Sequence, residues 1–140
     1  MKKIIFFIFF CNIYFSQNKE SCEKEKYIFI GKSDVANNYI YLKELVNVSN
    51  GNPREDLLGG SIFLKEEFKT GIKNTSAFSV FCGQGRMDFT SQISFDKNGK
   101  LKGKTTKSEV ITDIYPGTLL EYVFKYTCKC AKNKYNLLCI

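Results

Sequence analysis

The sequence has no histidine, no tryptophan and only two prolines among its 140 residues. Histidine is the commonest general base and the commonest protein metal ligand, and both roles go with it. Ser–His and Cys–His nucleophile pairs and histidine-containing zinc sites are excluded. The expectation is a protein that is not an enzyme and that holds no metal or other cofactor. No apolar run reaches the roughly 20 residues that a membrane-spanning helix needs, so no transmembrane helix is expected. Acidic side chains are few beside basic ones, 14 against 21, for a net charge of +7. At 44% hydrophobic and 25% charged the composition is that of an ordinary folded domain, and the length suits one domain rather than two.

What is present first is a targeting signal. Lys2 and Lys3 precede an unbroken apolar run from Ile4 to Phe10, extended by Ile13 to Phe15 beyond Cys11 and Asn12. This basic–apolar layout is that of a secretory signal peptide over residues 1–16, with cleavage near Ser16. Tyr14, third before that bond, is larger than the usual small residue. Cys11 follows Phe10 rather than a small residue, which argues against lipidation. Removal of residues 1–16 leaves 19 basic residues against 14 acidic ones, a net charge of +5. Residues 17–25 are polar and read as a flexible lead-in to a single domain over 26–140.

Export permits disulfides. The remaining cysteines are Cys22, Cys82, Cys128, Cys130 and Cys139, an odd number. At least one thiol therefore stays free or pairs between molecules, which a homodimer would satisfy. Two bridges drawn from five cysteines allow fifteen pairings, and spacing does not choose among them.

Strand signals follow in series: KYIFI (26–30), stopped by Gly31; NYIYL (38–42); SIFLKEEF (61–68); AFSVFC (77–82). The stretch between the first two is turn-rich, and 47–54 reads as a loop. Glu66 and Glu67 are adjacent and must point to opposite faces of a strand, so they are no catalytic carboxylate pair but a solvated strand end. Gly83-Gln84-Gly85 lacks the following Lys-Ser/Thr and helix of a phosphate loop and is read as a turn. In MDFTSQISF (87–95) a period of two places Met87, Phe89, Ser91, Ile93 and Phe95 on one face. Asn98-Gly99 marks a hairpin, and 101–106 and 110–114 supply return strands.

The pattern changes at Pro116-Gly117. Leu120, Phe124 and Cys128 recur every four residues, flanked by Leu119, Val123 and Tyr126, as on one face of an amphipathic helix. Pro116 suits its first turn. Strands in series closed by one helix imply an α+β domain: an antiparallel sheet of about five or six strands with the C-terminal helix on one face. Cys82 ends the fourth strand and Cys128 ends the helix on its apolar face, so a bridge between them would tether helix to sheet. Cys130, about 200° further round the helix, would point away from that face. A second bridge would come from among Cys22, Cys130 and Cys139.

These segments resemble the bacterial surface-adhesin protein E family over about Tyr27 to Cys128. The resemblance rests on YIFIG, the NYIYL strand, the VFC step, the IYPGT segment that opens the last helix, and a cysteine twelve residues after its proline. Tyr27 and Phe29 stand where the family often has Trp, Phe81 stands where it has Asp, and Cys130 and Cys139 lie outside its pattern. The resemblance implies a curved antiparallel sheet, a helix held to it by a disulfide, and a binding role at the cell surface toward host matrix proteins. The function expected is an exported, non-catalytic, adhesin-like binding module. The alternative is a periplasmic structural or accessory protein of the envelope with no host ligand. Location is then periplasm, cell surface or secreted.

Lys97, Lys100, Lys102, Lys104 and Lys107 crowd one hairpin with only Asp96 and Glu109 nearby. Such a patch is a candidate anion site, and the partner expected is a protein or a polyanionic surface ligand. Lysines also blunt edge strands, and a solvated hairpin is the favoured reading of them. Export and the absence of an aromatic–basic RNA-binding motif argue against nucleic acid.

Overall fold

The computed structural model describes Cys22 and residues 26–47 and 58–135. The signal segment, most of the lead-in, most of the 47–54 loop, Cys11 and Cys139 lie outside these residues. Among these residues seven strands, β1 (Ile28–Lys32), β2 (Ala36–Asn47), β3 (Leu58–Phe68), β4 (Lys73–Phe81), β5 (Arg86–Phe95), β6 (Leu101–Thr105) and β7 (Glu109–Ile111), precede one helix, α1 (Leu119–Lys134). All strand pairs are antiparallel, in the order β1-β2-β3-β4-β5-β6, and β7 also pairs with β5. β6 and β7 share one flank of β5, so the sheet is six strands wide. It is the expected sheet with the expected C-terminal helix on one face.

Each turn has its own local cause. Ser33 closes the β1–β2 turn, its hydroxyl accepting from the Val35 and Ala36 amides. Gly31 does not stop β1 but pairs with Asn38 beyond a bulge at Ile30. Cys82 to Gly85 form the expected turn, with the Gly85 amide bonded to the Cys82 carbonyl at a positive φ of 60°. In the β5–β6 hairpin the Asp96 carboxylate accepts from the Asn98 and Lys100 amides, and Gly99 sits at φ 79°. That is the three-residue loop with a glycine in the left-handed position.

Helix α1 starts later than the sequence implied. Pro116 and Gly117 (φ 76°) form the approach, and Thr118 is the cap. Its hydroxyl accepts from the Glu121 amide at 3.2 Å, while the Glu121 carboxylate accepts from the Gly117 amide at 3.3 Å. The exchange satisfies two amides at the helix start.

The helix lies over β3 and β2 and touches β4. Its most buried residues are Val123, Thr127, Cys128, Cys130 and Ala131, while Leu120 and Phe124 are only half-buried. The expected row of Leu120, Phe124 and Cys128 runs obliquely, from the middle of the face at the helix start to its border at Cys128, and the tightest packing falls at Thr127 and Ala131. The cause there is steric. Gly60 of β3 lies beneath Thr127, and small or β-branched side chains allow the closest approach. Thr127 is wholly buried and donates its hydroxyl to the Val123 carbonyl at 2.8 Å.

Cys82–Cys128 is bonded, with Cα atoms 5.6 Å apart, and Cys22–Cys130 is the second bridge, at 5.9 Å. The expectation that Cys130 points away from the packed face is corrected: it is 3% exposed. Measured across the buried side, Cys128 and Cys130 are about 160° apart. They fasten opposite borders of the face, one to the end of β4 and one to the segment before β1.

Candidate functional site

Register decides which side chains share a face, and bulges change it. Val80 pairs with Met87 and Phe78 with Phe89, but Ala77 pairs with Ser91, so Thr90 is an extra residue. Its hydroxyl donates to the Ala77 carbonyl at 3.1 Å. Beyond it the faces of β5 exchange. Met87 and Phe89 face the helix, whereas Ser91, Ile93 and Phe95 face the other way. The single face expected for all five residues is corrected accordingly. Gln92 now faces inward and donates to the Ser76 hydroxyl at 3.1 Å.

The inner face is therefore graded. Leu45, Gly60, Val80 and Met87 form one row, and Leu42, Ile62, Phe78 and Phe89 the next. Further along lie Asn38, Glu66, Asn74 and Ser94, in register across four strands. The two glutamates do face opposite ways. Glu67 lies on the outer face, 3.4 Å from Lys65 and 4.0 Å from Lys73. Glu66 is half-buried within the polar row rather than solvated, and burial raises its carboxyl above the ordinary 4.5. An acid with a raised folded value holds its proton more tightly when folded. Its ionisation therefore costs stability as pH rises from about the ordinary value through the folded one, and the loss persists above. Glu66→Gln should raise the melting temperature at pH 7 and leave it unchanged at pH 3, as followed by circular dichroism. An equal shift at both pH values would show that the carboxyl does not titrate differently on folding.

The outer face carries the most distinctive side chains. Tyr27 and Phe29 stand beside Tyr41 and Tyr39, with ring centroids 5.6 and 5.5 Å apart, and Tyr41 lies 6.0 Å from Phe63. The Lys65 ammonium sits 4.4 Å from the Tyr27 ring centre and 4.7 Å from that of Tyr39, a cation held over two aromatic faces. Burial raises the Tyr27 hydroxyl above 10.0; hydrogen bonding with Thr75 opposes this and the nearby Tyr41 adds to it. Toward the other edge, Arg86 lies over Phe81 at 4.3 Å and pairs with Asp88 at 3.1 Å. Ser61, Ala77, Ser79 and Ser91 form a low floor between these two groups. No described element packs on this face, and Phe29 is 55% exposed.

Sequence reading did not single out this surface, although its signal was present. YIFI and NYIYL are apolar at every position save one. Ile28 and Ile40 fill the inner face while the aromatics fill the outer one. Two apolar faces on neighbouring antiparallel strands require either a second covering layer or a partner.

The lysine patch is only partly assembled. Lys97 and Lys100 lie at the hairpin tip, Lys107 lies between β6 and β7, and all five lysines are exposed. Lys104 pairs with Ile93 on the outer face, whereas Lys102 sits at a shift of register and lines a cleft with Asn74 and Ser94. Lys102 and Lys104 therefore do not present one surface. No known protein family, curated protein or solved structure matches this chain.

Proposed function

We propose that this protein is an exported, non-catalytic binding module, adhesin-like in the manner of the surface-adhesin protein E family, that contacts a host or envelope protein at the cell surface. The observation that carries the proposal is the open aromatic face formed by Tyr27, Phe29, Tyr39, Tyr41 and Phe63 around Lys65. Rigid aromatic side chains on strands, with few rotamers to lose, are what protein-binding surfaces concentrate, and a flanking arginine such as Arg86 is the other enriched type. Export is supported by the signal-like N-terminus and by two disulfides, which persist in oxidising compartments. Among the described residues no helix is long and apolar enough to cross a membrane.

Protease treatment of intact cells, followed by fractionation, tests the location that this reading needs. The expected result is digestion of the protein while a periplasmic marker survives. Protection equal to that of the marker would overturn the surface assignment in favour of an accessory protein of the envelope.

A further inference from the structure

On the opposite side of the sheet from the aromatic face, a groove of about 650 Å³ runs between β1 and α1 from the helix start to Lys129. Its volume lies in the range of small-ligand sites. Asn38 of β2 lines it, is 8% exposed, and its side-chain oxygen has no hydrogen-bond partner. A buried acceptor left unmet costs free energy, and a ligand that donates a hydrogen bond removes that cost. Lys32, Lys125 and Lys129 line the same groove, with Glu121 as the only acidic one among the described lining residues. The Glu121 carboxylate is already engaged, 3.5 Å from Lys125 and accepting from the Gly117 amide. By register Lys32 shares the outer face with Asn37 and Glu67, so Lys129 is the cation left at the groove, and no described acidic residue lining the groove pairs with it. Tyr122 and Tyr126 form its wall, their rings stacked 6.3 Å apart and 13° from parallel.

These three demands select a ligand class. A bare carboxylate, sulfate or fully ionised phosphate offers acceptors only and cannot satisfy Asn38. An amine offers donors but is repelled by the lysines. A peptide added to the edge of β1 needs a regular ladder, which the bulge at Ile30 interrupts beside the groove. A sugar acid meets all three: hydroxyls to donate, a carboxylate for Lys129, and a C–H face to lie against a tyrosine ring. We infer that the β1–α1 groove binds an acidic saccharide, its carboxylate held by Lys129 and a hydroxyl donating to the Asn38 oxygen.

The test is a titration of the oxidised protein, followed by amide NMR, with glucuronate and N-acetylneuraminate as probes and glucose and acetate as controls. At least one sugar acid should bind tenfold or more tightly than either control, with shifts centred on Gly31, Asn38 and Tyr126. Lys129→Glu, an exposed position, should weaken that binding at least tenfold without altering the rest of the spectrum. Asn38→Ser should weaken it too and, where that variant folds poorly, Tyr126→Ser replaces it. Failure of both acids to bind, acetate binding as tightly as they do, or indifference to Lys129→Glu would overturn the inference. The open aromatic face lies on the other side of the sheet, so such a failure leaves the proposed function standing.

Discussion

Replacing Cys82 and Cys128 together by alanine should cost about 4 kcal/mol of stability, because the bridge closes a loop of 46 residues and restrains the unfolded chain. A domain of this size is stable by about 5–15 kcal/mol, so the loss is a large share of the total. The melting temperature should fall on the order of 15 °C. The helix should loosen first. Cys128 borders the face that carries Val123, Thr127 and Ala131, and the remaining tether, Cys22–Cys130, holds only the opposite border. Thermal unfolding of the oxidised wild type and double variant measures the effect. A loss under about 1 kcal/mol would mean that packing alone seats the helix. Non-reducing peptide mapping supplies a check without mutation, since the account requires Cys82–Cys128 and Cys22–Cys130 peptides.

Gly60→Ala is the second change with a large expected effect. A Cβ at this position would lie 2.7 Å from the Glu44 carbonyl oxygen, 3.0 Å from Thr127 Cγ2 and 3.2 Å from Leu45 Cδ2. The nearest of these is backbone, which cannot rotate away, so β2 and the helix must both shift. Overpacking of this kind costs about 1–3 kcal/mol, and we place Gly60→Ala at the upper end. Gly103→Ala is the control. Nothing lies within 4 Å of its added Cβ, and its backbone is ordinary strand. It should change stability by about 0.5 kcal/mol or less. Equal effects at the two sites would contradict the close seating of Thr127 on Gly60.

The elements themselves were legible because each is written locally. Alternation marks the strands, Asn98-Gly99 marks the hairpin, and the four-residue recurrence after Pro116 marks the helix. The Cys82–Cys128 bridge followed from placing one cysteine at a strand end and the other on an apolar helix face. What stayed hidden depends on contacts between elements. The Thr90 bulge has no glycine to announce it, yet it exchanges the faces of half of β5. The tightest packing falls at Thr127 and Ala131 rather than at Leu120 and Phe124 because Gly60, sixty-seven positions earlier than Thr127 in the chain, admits a close approach. β2 runs on through Lys43 and Glu44, which look like a strand end, because a shift of register there leaves both exposed while Leu45 returns to the core. Cys130 stands about 200° round the helix from Cys128, and what draws it into the packed face is a bond to Cys22, 108 residues away. The aromatic face was half legible: its residue types were evident in two strands, but their convergence around Lys65 required the register of three.

On the proposed function the open face of the sheet is the binding surface. Its most direct test is surface plasmon resonance of the wild type and of a Phe29→Ser, Tyr39→Ser double variant over a panel of immobilised extracellular-matrix proteins. Both substitutions lie on the face remote from the helix, so circular dichroism and the disulfide map should be unchanged. Loss of central aromatic anchors typically costs about 2 kcal/mol or more, so binding should weaken at least about thirtyfold. A wild-type chain that binds no member of the panel, or a double variant that binds as tightly as the wild type, would contradict the account.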